Sequence, residues 1–249
     1  MNAVANIKTI TKRELQAYFS SPLAYVFIVI FLLLTGFFAC AVRPTLFDRG
    51  EASLAANFFF WQPWFYLFLV PAVGMRLWAE ERRVGTIELL LTMPITAWQA
   101  IVGKFLASWL FLAVALILTF PIVITVNYLG NPDNGAIIAS YVGSLLMAGG
   151  YLAISAAISA STNNQVIAFV VSVLVCFLFT ISGAPLVLDF FQAWAPIVLV
   201  NTISGFSFLT HFQAISSGVI DLRDLVYFAS LIALFLSVNV VLVDLKKTS

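Results

Sequence analysis

The residues with the most chemistry to offer lie close together, in the run Met75-Arg76-Leu77-Trp78-Ala79-Glu80-Glu81-Arg82-Arg83-Val84-Gly85-Thr86-Ile87-Glu88-Leu89-Leu90-Leu91-Thr92-Met93-Pro94. Glu80, Glu81, Arg82 and Arg83 set two anions beside two cations, and Ile87, Leu89, Leu90 and Leu91 make one rim apolar. This is recognition chemistry, without a nucleophile or a base to activate one. Anionic headgroups would repel the two carboxylates, so the segment reads better as short helices that dock into a partner's groove than as a loop lying on lipid. Gly85 can end the first helical piece by taking a positive φ. Thr86 can cap the second, whose early Glu88 suits the helix dipole. Pro94 stops it, and Thr96 with Gln99 has the spacing of a capping box that starts the next span.

Reactive constellations are missing elsewhere. Gly103-Lys104 is followed by Phe105 and has Trp98 where the first glycine of a phosphate loop belongs, so the chain cannot hydrolyse ATP unaided. There is no H-E-x-x-H and no G-x-S-x-G. The lone His211 reads as a hydrogen-bonded or interface-facing residue, and Cys40 and Cys176 sit in apolar runs as small hydrophobes without a disulfide. No catalytic, cofactor-binding or metal site is expected. An ion-coupled carrier would place ionisable groups at mid-membrane. Here Arg76 and Lys104 fall near span ends, where they are expected to snorkel, which leaves Asp189 as the only candidate for a buried carboxylate. Energy for any work should come from another polypeptide.

The elements that must position these residues are membrane helices. Of 249 residues, 62% are hydrophobic and 9% charged, with a mean hydropathy of +1.06, where a soluble domain carries about 25% charge. A net charge of +1 without a basic face excludes nucleic-acid binding. Residues 1–21 read as an interfacial amphipathic helix, with Val4, Ile7, Leu15 and Tyr18 on one face and Lys8, Lys12 and Gln16 on a neighbouring one. Ser21 and Pro22 restart the chain as N-cap and first helical residue. Six spans are expected, at 22–42, 58–78, 99–128, 137–158, 165–182 and 225–243, with Pro63 and Pro71 kinking the second. Lys8, Lys12, Arg13, Arg76, Arg82, Arg83, Lys104, Lys246 and Lys247 fall on one side and Arg43, Arg49 and Arg223 on the other, which predicts that both termini are cytoplasmic.

Residues 183–224 fit neither a seventh span nor a solvated loop. They are apolar, yet Asp189, Gln192, Pro196 and Asn201 interrupt them. The expectation is a re-entrant pair of short helices on the external face, with a surface-lying amphipathic hairpin as the alternative. Phe206, Phe208 and Phe212 would form an aromatic seal in that external gate, with His211 partly hydrated at its rim.

The run Glu80-Glu81-Arg82-Arg83-x-Gly85-Thr86-Ile87-Glu88-Leu89-Leu90, after the second of six spans and behind an N-terminal amphipathic helix, resembles the permease subunits of type-2 ABC exporters. Arg13-Glu14-Leu15 with Tyr18-Phe19-x-Ser21-Pro22-x-Ala24-Tyr25, and Met75 to Glu81, are similar to the gliding-motility-type (Gld F-like) permeases. The likeness covers essentially the whole chain, with the two motifs its most specific parts and the C-terminal half resembling in span pattern alone. It implies an all-α integral membrane protein of six transmembrane helices. Within it, residues 1–21 would be the connecting helix, carrying Arg13, Glu14 and Tyr18. Residues 79–98 would hold the coupling helix that contacts the ATPase, through Glu80, Glu81, Arg82, Arg83, Gly85, Thr86 and Glu88, and re-entrant helices would precede the last span. It also implies a separate ABC ATPase that binds ATP and Mg, a second permease copy, a bacterial inner-membrane location, and, because the external loops are short, an auxiliary Gld G-like membrane protein. The copies would meet along the first and fifth spans, near Cys40 and Cys176, since Gly143, Met147, Gly150 and Ile154 give the fourth span only a partial small-residue face. A membrane anchor that recruits a cytoplasmic partner without transporting is the alternative. Twenty-four Phe suit an amphipathic cargo but serve equally as lipid-facing filler, so the substrate stays open.

Overall fold

The computed structural model describes residues 3–41, 54, 58–85, 96–192 and 195–245. Among these the chain is helical throughout, with no strand. We number the helices α1 (Ala3–Ser20), α2 (Pro22–Ala41), α3 (Phe60–Gly74), α4 (Arg76–Val84), α5 (Ala97–Ile117), α6 (Phe120–Leu129), α7 (Asn134–Ser161), α8 (Gln165–Ile181), α9 (Pro185–Gln192), α10 (Ile197–Gly205), α11 (Phe208–Ser216) and α12 (Leu222–Leu245).

Local chemistry fixes several of the ends. Thr96 caps α5 by accepting from the Gln99 N–H at 3.4 Å. Asp133 caps α7 by accepting from the Gly135 and Ala136 N–H groups, and Asn164 caps α8 in the same way through Val166 and Ile167. Pro121, which has no N–H to give, lies just past the break between α5 and α6, where the Thr119 hydroxyl donates to the Leu116 carbonyl at 2.6 Å.

Among the described residues, four stretches are long and apolar enough to cross a bilayer: Pro22–Ala41, Ala97–Leu129, Asn134–Ser161 and Leu222–Leu245. Two bent pairs raise the number to six if each is one span, α8 with α9 at 66° and α10 with α11 at 71°. Two expectations change here. The segment 58–78 is not one uninterrupted span: α3 holds 15 residues, fewer than the roughly 20 that span a bilayer core, and it passes through Met75 into α4. The charged helix accordingly begins at Arg76, inside the region assigned to that span. Residues 183–224 hold three short helices rather than two, because Pro196 and Ser207 each start a new one.

The helix α7 is the hub. In its most apolar window 72% is buried, against 28% for α2 and for α12. Small residues permit this close packing. A Cβ on Gly150 would come within 2.8 Å of the Phe208 ring, one on Gly149 within 2.9 Å of Ile232, and one on Gly143 within 2.9 Å of Ile215. The small face of this span is therefore occupied by the chain's own α11 and α12. Tyr151 lies fully buried at the centre, its hydroxyl 2.6 Å from the Thr180 hydroxyl on α8. Beside it Cys176 is also fully buried and is a free thiol, which removes it from the positions able to crosslink two copies. Cys40 is exposed and also free.

Candidate coupling site at the junction of α1, α4 and α5

The first half of α5 provides a bed for α1. At the crossing point Gly103 meets Ile10, and a Cβ at Gly103 would lie 2.7 Å from the Ile10 side chain. Polar pairs pin the register. Thr11 donates to the Gly103 carbonyl at 3.2 Å, Asn6 donates to the Gln99 side chain at 3.1 Å, and the Tyr18 and Ser108 hydroxyls bond at 2.9 Å. Tyr18 stacks on Phe111 with ring centroids 5.2 Å apart, and burial pushes its phenol up to about 12. The inward face of α1 keeps Ile7, Leu15 and Tyr18 as expected, with Lys8, Lys12 and Gln16 exposed, and departs from the expectation at one position. Val4 is 76% exposed and Ile10 takes its place, because the bed is a neighbouring helix rather than a flat lipid surface. The three-residue spacing from Ile7 to Ile10 is the sequence signal that marks this face.

Lys104 holds the junction together. Its ammonium is 2.6 Å from the Glu81 carboxylate of α4 and 3.4 Å from the Glu14 carboxylate of α1. The Trp78 ring lies beneath it, with the centroid 5.6 Å away. The lysine side chain is 3% exposed, against 21% for Glu81 and 19% for Glu14. It does not snorkel as expected, since two carboxylates replace the water it would otherwise seek. Burial pushes the Glu14 carboxyl upward, but the Lys104 and Arg13 cations outweigh this and hold it below its ordinary value. Arg13 pairs with Glu14 at 2.8 Å on the outer side.

The remaining charged residues of α4 divide by direction. Arg76 and Glu80 pair within the helix at 2.7 Å. Arg83 is exposed. Both terminal nitrogens of Arg82 are buried without a hydrogen-bond partner among the described residues, and burial lowers its pKa. Gly85 ends α4 with φ 76°, a left-handed conformation in which a side chain would be strained. Thr86 and Glu88 lie outside the described residues, as do Arg43, Arg49, Lys246 and Lys247.

A second feature of α4 carries no sequence signal. At the Met75 break the Ser159 hydroxyl of α7 donates to the Met75 carbonyl at 2.8 Å and accepts from the N–H groups of Trp78 at 3.2 Å and Ala79 at 3.0 Å. A side chain from the hub thus stands inside the helical ladder, a recognised cause of a helix break.

At the other end of the bundle the three aromatic candidates separate. Phe206 is exposed, whereas Phe208 and Phe212 are buried, and Phe208 stacks on Tyr151 at 4.5 Å. They form no common exposed seal, because Phe208, Phe212 and Ile215 share the inner face of α11 at helical spacing while Phe206 precedes its cap. Asp189 is exposed. The buried carboxylate is Asp224, 2.6 Å from His211 Nδ1, while His211 Nε2 lies 3.0 Å from the Gly205 carbonyl. The histidine stacks on Tyr227 at 3.9 Å, and the Tyr227 hydroxyl donates to the Phe206 carbonyl at 2.6 Å. Among the described residues no group of His, Cys, Asp or Glu is placed to hold a metal ion.

Searched against curated proteins, the chain finds no match. The family model described as ABC-2 family transporter protein matches residues 8–244, from α1 to the last turn of α12. With its multi-pass helical architecture and a match over nearly its whole length, the chain belongs to the ABC-2 transporter family, as a membrane permease subunit.

Proposed function

We propose that this chain is the permease of an ABC-2 exporter and that it is moved by a separate ATPase seated on α4 and the segment that follows it. The observation that carries the reading is the Lys104 node. One buried cation ties α1, α4 and the start of α5 together, so a push on α4 is delivered to α5 and, through α1, to the first span. The charged side chains of α4 are split accordingly. Glu81 faces inward to the node, while Arg83 is exposed, as befits a residue offered to a partner. The Ser159 contact serves as the fulcrum at which α4 leaves the membrane core. In the same reading α1 is the connecting helix, both termini are cytoplasmic, the protein sits in a bacterial inner membrane, and two copies pair with two ATPase chains. A Gld G-like membrane protein supplies an external surface, in keeping with the short external loops of the sequence, and the helices α9, α10 and α11 cover the outer end of the path.

The test is the charge reversal Glu81→Lys, coexpressed with a candidate ABC ATPase partner. The variant should insert normally, and either its ATPase association or its transport per ATP hydrolysed should fall. Full transport with normal ATPase binding would refute the coupling role. If the wild-type chain recruits a cytoplasmic partner without any ATP-dependent movement of solute, the protein is an anchor instead.

A further inference from the structure

Next to the Lys104 node lies a cleft with two halves of opposite character. The polar half, about 200 Å³, is lined by Glu14, Tyr18, Arg76, Glu80, Glu81 and Lys104. The apolar half, about 230 Å³, opens between α2 and α3, with Phe27 and Ile30 on one wall, Ala72 and Val73 on the other, and Phe111 within. Tyr18, Ser21 and Arg76 line both halves and so join them. Leu23, Val26 and Ile30 at its edge are exposed, so the slot is open sideways toward the bilayer.

We propose that this cleft binds one phospholipid with a phosphoethanolamine headgroup, drawn from the leaflet on the α1 side, with an acyl chain in the slot between α2 and α3. The charges select the headgroup. Three carboxylates and two cations line the polar half, and Lys104 already faces two of the carboxylates. Counting Arg13, which pairs with Glu14 at 2.8 Å from outside the cleft, three cations meet these three carboxylates, so an anionic headgroup would bring a charge that the site does not balance. A zwitterion fits better. Arg76 engages Glu80 through Nε, which leaves the other N–H groups of its fork for a phosphate. A primary ammonium carries three donors for the carboxylates of Glu80 and Glu14, whereas a quaternary ammonium carries none. The slot supplies the apolar surface that an acyl chain needs, and the bilayer is the source at hand.

The test uses the purified full chain in nanodiscs that contain ethanolamine, choline and glycerol phospholipids with identical acyl chains, with retained lipid counted by native mass spectrometry. One ethanolamine lipid should be retained per chain, preferred about tenfold over the other two, which is the worth of one charge-assisted hydrogen bond. Ala72→Phe, which fills the slot, should abolish retention. Arg76→Gln, which leaves the slot between α2 and α3 open, should lower it severalfold with the thermal midpoint preserved. Equal or better retention of the glycerol lipid would overturn the proposal, as would retention unchanged in both variants. So would an empty slot in which Ala72→Cys crosslinks two copies, since a second chain would then be the occupant. None of these outcomes bears on the permease reading, because no transport is measured.

Discussion

Replacing Lys104 by methionine tests how firmly the α1, α4 and α5 junction depends on one charge. Methionine keeps the stem and its packing on Trp78 but removes the cation, so Glu14 and Glu81 are left facing each other at the edge of the protein. Removing one member of a buried ion pair costs about 3–5 kcal/mol when the partner is fully sequestered. Here the two carboxylates are 19% and 21% exposed, so water recovers part of that loss, and about 2–3 kcal/mol is expected. For a chain of this size the midpoint falls about 2–4 °C per kcal/mol, which gives a drop of about 4–12 °C. The assay is the temperature at which detergent-solubilised protein loses its monodisperse peak. The same measurement is made on Glu81→Gln and on the double variant. The double variant should be more stable than the sum of the singles implies, with a coupling of about 1–3 kcal/mol. Strictly additive effects, or a Lys104→Met midpoint equal to wild type, would show that the ammonium is not the tie that the geometry describes.

Further tests address neighbouring features. Gly103→Leu should force Ile10 outward, costing about 1–3 kcal/mol and abolishing a disulfide engineered between Asn6→Cys and Gln99→Cys; adding Ile10→Ala should restore the crosslink. Ser159→Ala should let the helix at Met75 re-form its own ladder or leave three backbone groups unpaired, and spin labels on α3 and α4 should report a changed angle between them, whereas an unaltered distance distribution would remove the fulcrum. Because Glu14 titrates below its ordinary value of 4.5, the stability it contributes is present above that value and lost as pH falls through the lower folded one. The difference in midpoint between wild type and Glu14→Gln should therefore be constant between about pH 6 and 8 and shrink as the pH falls below 4.5, which makes the acid limb shallower in that variant. Cysteines at Asp189 and Asn201, both exposed, should react with an impermeant thiol reagent from outside, and labelling only from the cytoplasmic face would invert the proposed topology.

Signals carried by neighbouring residues were readable in the sequence. The charged run on α4, the glycine that ends it and the threonine that caps α5 all depend on residues a few positions apart. The Lys104 node was not readable, because its partners lie 23 and 90 positions away in the chain and nothing local shows that α1 folds onto α5. A lysine near the end of an apolar run reads by default as snorkelling. The same limit explains Asp224. Its partner His211 lies 13 positions earlier, across the turn after α11, and no local pattern marks the pair. Phe206, Phe208 and Phe212 looked like one cluster because composition groups them, whereas the helical face that separates Phe206 from the others is set by where α11 begins. Nothing in the sequence distinguishes Ser159 from the other serines of α7, since its role depends on the carbonyl it meets.

The way α7 is filled on several sides at once has a consequence for how this protein can vary. Gly149 faces Trp109 and Ile232 while Gly150 faces Phe208 and Leu231, so a methyl group added at either position has no empty direction in which to go. On α2 the outward residues Leu23, Val26, Val29 and Leu33 are each more than half exposed, and one bulky apolar residue there can replace another. Drift should therefore be rapid along the rim and nearly halted along the hub. Libraries randomised over residues 143–160 should yield few folded members beside libraries of equal size over residues 23–37, and a new cargo preference should evolve by changes at the periphery around a frame that stays the same.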